Sequence, residues 1–209
     1  MKAKVTVTRM ELLARKQQIA LAEQGLALLQ QKRAALLREL MQVADRVLAR
    51  ADALQDAAKV ARLSLARAES IAGPEAVRAA ALAAQAELPL TMQTVNVMGV
   101  HVPVIEQRAI THSVLGRGYD LAGTSVTIDE AAEAYELLVE KLLELAEGQL
   151  RLQRLADEIQ HTSRRANALE YVTLPRLRAE RDFIERALDE RERAAHFRLK
   201  RVKRARGGY

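Results

Sequence analysis

From Thr8 to about Ser70 the chain runs without a proline and with a single glycine, Gly25, and its aliphatic residues recur every seven positions. Leu12, Ile19, Leu26, Leu40, Val47 and Leu54 form one series, interrupted by Arg33. Ala22, Leu29, Leu36, Val43 and Ala57 form a second, offset by three and interrupted by Arg50. Such a pair of series marks the a and d positions of a coiled coil. About 60 residues of helix extend roughly 90 Å at 1.5 Å per residue. A lone globular domain seldom uses a helix of that length. Gly25 weakens such a helix by about 1 kcal/mol relative to alanine. It is either tolerated or admits a neighbouring backbone at close range.

A second long helix is expected towards the other end. "TSVTIDEAAEAYELLVEKLL" opens it, with Thr127 and Glu130 at capping-box spacing and Asp129 favourable near the positive helix end. Leu138, Leu145, Leu152, Ile159 and Ala166 recur every seven residues, and Leu142 and Leu155 thicken the stripe. Two long striped helices joined by a compact reversing section have one economical solution, an antiparallel coiled coil. Both termini then share one end, where Lys2 and Lys4 join the basic tail. The middle section caps the other end.

That middle section has its own signals. Gly73-Pro74 ends the first helix, and Pro74 suits the first position of a short helix that stops before Pro89. Thr94–Val97 and Val100–Val102 flank Met98-Gly99 as a small hairpin. The expected organisation is residues 1–72 as the N-terminal helix, 73–126 as the compact middle section, and 127–209 as the C-terminal helix with its tail. All three belong to one continuous, predominantly α-helical domain.

Composition agrees. Hydrophobic residues reach 49% while aromatics are only 3%. Aliphatic knobs of this kind suit thin helix–helix seams better than a thick core. Cysteine is absent, which removes disulfides and thiolate metal sites and suits a cytosolic setting. No apolar run approaches the roughly 18 residues of a membrane span, and the N-terminus lacks the apolar centre of a signal peptide. A soluble chain is expected. The net charge of +6 resides in the tail, where seven cations and no acid follow Glu192. The tail reads either as a solvated, partly frayed end or as a docking end for an acidic partner. Sparse aromatic residues argue against nucleic acid.

Little points to catalysis. "GYDLAGTS" places Gly118 and Gly123 as a phosphate loop would, but Thr124 stands where the lysine belongs. His101, His112, His161 and His196 are scattered, with no metal-binding pair. His112, Ser113 and Asp120 supply triad residue types without triad geometry. Helical acids such as Glu140 and Glu144 flank Lys141 as a solvated face. No enzyme activity, cofactor or metal is expected.

The segment "HTSRRANALEYVTLPRL" (161–177) sets a proline inside the second long helix. Pro175 removes a backbone donor and crowds the carbonyl of Tyr171, so a kink is expected. Asn167 is a candidate register-setting polar group in the seam.

Two stretches together resemble the D subunit of the vacuolar-type and archaeal-type rotary ATPases. In "VTRMELLARKQQIALAEQGLALLQQKRAALLREL" the matching residues are Thr8, Arg9, Met10 and Leu12, then Gly25, Leu28, Leu29, Lys32 and Arg33. In "TSRRANALEYVTLPRL" they are Arg164, Arg165, Asn167, Ala168, Leu169, Glu170, Pro175 and Arg176. "GYDLAGTSVTIDEA" resembles the family's middle-to-C-helix junction more loosely, and residues 74–115 match weakly. Val7 departs from the proline that many relatives carry there, which touches only the start of the helix.

The resemblance implies a non-catalytic rotor axle, one copy per complex, with no cofactor or metal of its own. The tip carrying both termini would insert into a hexamer of three catalytic A and three non-catalytic B subunits. The small F subunit of the stalk would clasp the coiled coil. The far end would rest on the funnel-shaped C (or d) subunit, above a membrane ring that moves protons or sodium. The chain would be cytoplasmic and peripheral to the membrane, without inserting into it and without binding nucleic acid. Candidate contact residues are Arg9, Met10, Arg164, Arg165, Asn167, Glu170, Pro175 and Arg176. The competing reading is a soluble coiled-coil adaptor or export-apparatus chaperone with a basic docking tail. It explains the helices and the tail but not the two matched stretches together.

Overall fold

The structure, a computed structural model, describes residues 6–84, 90–106, 117–119 and 124–206. Its elements are α1 (Arg9–Ala72), α2 (Pro74–Ala83), β1 (Thr91–Val97), β2 (Val100–Glu106), α3 (Val126–Ala168), a π-helical turn (Leu169–Thr173) and α4 (Leu174–Arg206). This is the expected predominantly α-helical class, with long N- and C-terminal helices paired antiparallel and a short helix and hairpin between them. Lys2, Lys4, Pro89, His112, Ser113, Asp120 and Gly123 lie outside the described residues. The chain divides into two compact units: residues 1–35 with 159–209, and residues 36–158. Each contains a stretch of both long helices.

In the unit of residues 1–35 and 159–209, α1 starts at a cap that the heptad pattern does not reveal. The hydroxyl of Thr8 accepts the Glu11 backbone N–H at 3.1 Å, satisfying one of the helix's free donors. Val7, despite its departure, leaves this start intact. Antiparallel pairing shows in the ion pairs, whose α4 partners descend as α1 ascends: Arg9–Glu192 at 2.5 Å, Lys16–Glu185 at 3.4 Å and Glu23–Arg178 at 2.7 Å. Between the helices Ile19, Leu174 and Leu177 are buried, with Ala22 and Leu26 packed against them. Each fully buried aliphatic side chain contributes about 1.5–3 kcal/mol relative to exposure.

The proline is accommodated differently from a plain kink. The Leu174 backbone N–H bonds back five residues to the Leu169 carbonyl, so the chain makes one π turn before Pro175. The extra residue is visible in the burial pattern. Gly148, Leu155 and Thr162 are buried seven apart, as are Leu177 and Ile184, but Leu177 follows Thr162 by fifteen. The π turn absorbs one residue beyond two heptads, so α4 presents its aliphatic face to α1 again. Asn167 does not serve the seam; it is exposed, and the seam's polar residue is Thr162 at 2% exposure. Asn167 lies one residue past the buried Ala166, about 100° around the helix.

In the unit of residues 36–158, α1 and α3 bury Leu36, Val43 and Leu155 together with small residues. A Cβ added at Gly148 would come within 2.7 Å of Val47 Cγ2. The close approach that the sequence suggested for Gly25 therefore occurs at Gly148, whereas a Cβ at Gly25 would meet nothing within 4 Å. Arg50, which interrupts one series, donates to the Glu144 carbonyl at 2.8 Å. Its aliphatic stem can share the seam while its head satisfies polar backbone. Arg151–Glu39 at 2.5 Å and Arg67–Glu130 at 3.4 Å continue the antiparallel order. Leu142 does not thicken the stripe, being 52% exposed, whereas Leu155 is fully buried.

Two further corrections concern the middle of the chain. Thr127 does not cap α3: the helix begins at Val126, Ser125 stands before it, and the Ile128 N–H bonds to the Ser125 carbonyl at 2.9 Å. Glu130 is directed instead to Arg67. The hairpin strands run longer than expected, and Met98 (φ 53°) with Gly99 (φ 84°) forms a two-residue turn with both central residues left-handed. The Asn96 side-chain oxygen accepts the Gly99 N–H at 2.8 Å. The short helix is as expected: Gly73 precedes it at φ 86°, and Pro74 is its first residue, where the missing N–H costs nothing.

Candidate functional site

The π turn gathers six of the eight candidate residues. Arg164, Arg165 and Asn167 lie near the end of α3, Glu170 in the π turn, and Pro175 and Arg176 at the start of α4. All six are exposed. Arg9 and Met10 are separate from them: Arg9 pairs with Glu192, sixteen residues along α4 from Arg176, a distance of roughly 24 Å. Met10 is 78% exposed there.

Around the π turn the six residues divide between faces. Arg164 and Asn167 lie three apart on one face, with exposed Tyr171 four residues further on. Arg165 sits four before Leu169, on another face. That second face borders a cleft of about 490 Å³ lined by Leu21, Ala22 and Gly25 of α1 and by Leu169, Thr173 and Arg176 opposite. Arg176 reaches Glu180 at 3.7 Å, but Glu180 also receives Arg15 at 3.1 Å. Exposed cations stand here beside the exposed apolar side chains of Tyr171 and Val172.

Among the described residues, the groups with shifted titration lie in the other unit, in a cluster that no sequence motif announced. Arg117, only 8% exposed in its side chain, reaches Glu136 at 3.2 Å and Asp129 at 3.3 Å. Its hydrogen bond to Glu136 holds its pKa above the usual arginine value despite the opposing effect of burial. Tyr119 donates to Asp129 at 2.6 Å. Burial, reinforced by that bond and the Asp129 charge, pushes the phenol up to about 12. Gly118, between them, has φ 82°, and a Cβ there would lie 2.7 Å from the Ala83 carbonyl oxygen. The cluster pins residues 117–119 to α3. Its sequence signal was faint, a lone Arg-Gly-Tyr ahead of a helix start whose acids lie twelve and nineteen residues away.

Among the described residues no group of histidines and acids is arranged to hold a metal ion. No helix among them is long and apolar enough to cross a membrane. The profile of the family described as the D subunit of ATP synthase matches residues 11–204. The chain belongs to that family. It is 43% identical over 199 residues to the A-type ATP synthase D subunit of Thermococcus gammatolerans, covering 95% of this chain and 93% of that protein. It is 40% identical over 199 residues to that of Halorubrum lacusprofundi, covering 95% and 87%. It is 40% identical over 200 residues to that of Pyrococcus horikoshii, covering 96% and 94%. The matches extend across the weakly patterned middle section as well as the two stretches that carry the family resemblance.

Proposed function

We propose that this member of the ATP synthase D-subunit family is the non-catalytic shaft of a rotary ATPase or ATP synthase. It transmits torque between a nucleotide-binding head and an ion-translocating membrane ring. One copy enters each complex, outside the membrane on the cytoplasmic side. Its partners are the catalytic A and non-catalytic B subunits of the head, the small F subunit of the stalk, and the funnel-shaped C (d) subunit above the ring.

The observation that carries this reading is the antiparallel pairing of two chemically different helices within one chain. A single helix twists and bends too easily to carry torque far. Two helices interlocked along a seam resist both motions. Unlike a symmetric homodimeric coiled coil, they also present a different side in every direction. Three identical catalytic sites can then be held in different states, and turning the shaft changes the nucleotide affinity of each. That is a coupling free energy between distant sites. Arg164, Arg165, Asn167, Glu170, Pro175 and Arg176 are the proposed contacts around the π turn, with Arg9 and Met10 a second set near Glu192.

Reconstitution with the head and stalk subunits tests the reading. The wild-type chain is expected to enter as one copy and support ATP hydrolysis coupled to rotation. Arg164→Glu with Arg165→Glu is expected to lower turnover or rotor assembly at least tenfold, a loss of about 1.4 kcal/mol. Unchanged turnover, pumping and assembly would remove these arginines from the contact surface. Failure of the wild type to enter, with self-association into dimers, would support the adaptor instead.

A further inference from the structure

Charged residues make up 29% of the chain, yet Gln17 to Gln31 of α1 contains only one, Glu23. That glutamate is engaged by Arg178. Leu21, Gly25 and Leu28 follow the i, i+4, i+7 spacing of one helix face. Leu21 is 70% exposed and Leu28 66% exposed. Gly25 lies between them, and a side chain there would enter open space rather than the chain's own packing. Glycine weakens a helix interior, and no close contact among the described residues accounts for it.

Depletion of charge at an exposed apolar centre, with cations at its edge, is the composition of a protein interface. Leu21 and Gly25 form one wall of the cleft, with Leu169, Thr173 and Arg176 opposite. The π turn forms part of that opposite wall. Arg176 is at its edge, and Arg165 is four residues before Leu169 on the same face.

We propose that this cleft receives one α-helix of a partner subunit, laid along Leu21, Gly25 and Leu28. The arriving helix is apolar where it meets α1 and carries carboxylates on the edge facing Arg165 and Arg176. Gly25 is small so that the partner's backbone can approach α1 closely. This is a helix-in-groove mode, with the groove built from two helices of the receptor. The proposal rests on the rotary-complex reading, because the partner is a subunit of that complex.

Gly25→Leu separates docking from folding. Leucine favours helix, and its Cβ meets nothing, so the full-length variant alone is expected to keep its helicity and to melt no lower than wild type. Gly25→Ala is expected to raise Tm by about 2–4 °C. In the reconstituted complex, Gly25→Leu is expected to weaken retention of one partner at least tenfold by native mass spectrometry. Arg165→Glu with Arg176→Glu is expected to weaken retention of the same partner. A benzophenone photo-crosslinker at Leu28 is expected to capture a helix of that subunit. Wild-type retention by Gly25→Leu, or no cross-link within an assembled complex, overturns the groove while leaving the rotary reading standing. A lowered Tm for Gly25→Leu overturns it as well, by showing that the glycine serves internal packing. Failure of the wild type to assemble defeats the rotary reading itself.

Discussion

The two units share the same heptad pattern and an aliphatic seam, but differ in what is packed beside it. In residues 36–158 the buried Leu36, Val43 and Leu155 alternate with Gly148, Ala61, Ala68 and Ala131, and a nearly buried Arg117 holds two carboxylates. In residues 1–35 and 159–209 a narrow aliphatic seam is flanked by ion pairs, several of them water-exposed; Lys16 and Glu185, for example, are 51% and 47% exposed. The first arrangement adds a few close contacts to its seam. The second spreads its cohesion over the seam and leaves its outer surface exposed. The proposed shaft role would draw on both, a part that does not yield and a part whose surface can be approached. The difference predicts that single substitutions damage the first unit far more than the second.

Arg117→Met should have the largest effect. Methionine has a similar reach but no charge, so Asp129 and Glu136, which are 22% and 14% exposed, lose their shared cation. Removing one member of a buried ion pair costs about 3–5 kcal/mol, and the partial exposure here places the expected loss near the lower figure, about 3 kcal/mol. Chemical unfolding followed by circular dichroism measures it. Arg117→Met combined with Asp129→Asn and Glu136→Gln should recover part of the loss. A loss below about 1 kcal/mol would show that residues 117–119 do not hold the unit together.

Gly148→Leu comes next. Its Cβ would lie 2.7 Å from Val47 Cγ2, so the helices must separate locally or the valine must change rotamer. Overpacking of this kind costs about 1–3 kcal/mol. Adding Val47→Ala should restore part of the stability, a positive coupling between neighbouring sites. Equal losses with and without Val47→Ala would mean that the obstruction is not the valine. Gly25→Leu, the same substitution in the other unit, should cause no loss, which sharpens the comparison to one glycine in each.

The sequence made much of this legible, and the failures have physical causes. The α1 seam was readable because seven-residue spacing is a local signal repeated many times. Gly73-Pro74 and Met98-Gly99 were readable because backbone geometry restricts what fits there. Pro175 announced a break, but its outcome depended on where Leu177 and Ile184 had to face, fifteen residues or more beyond Thr162. Asn167 was misplaced for the same reason that makes helices efficient, since one residue turns a side chain from seam to solvent. The Arg117 cluster was hidden because its partners are not local in sequence. Gly148 was hidden because a contact made by an absent side chain leaves no mark in an apolar pattern. At the candidate site, the resemblance located the segment, while the π turn and the cleft beside Gly25 emerged only from the packing of α1 on α4. The uncharged run from Gln17 to Gln31, broken only by Glu23, could have signalled that face without a structure.

The smallest effect should come from the ion pairs of residues 1–35 and 159–209, and it tests the comparison from its other side. Glu23 and Arg178 are 2.7 Å apart, but 49% and 52% exposed. Water screens the pair, and ordering two long side chains consumes much of the attraction, so its coupling should be below about 1 kcal/mol. A double-mutant cycle with Glu23→Ala and Arg178→Ala measures that coupling directly. It should shrink further as salt is raised, because exposed charges are screened beyond about 10 Å at 0.1 M and about 3 Å at 1 M. Helicity should be unchanged in all variants, since Ile19, Leu174 and Leu177 keep the seam closed. A salt-insensitive coupling above about 2 kcal/mol would show that the ion pairs, and not the aliphatic seam, hold this unit. The two units would then differ in position but not in kind.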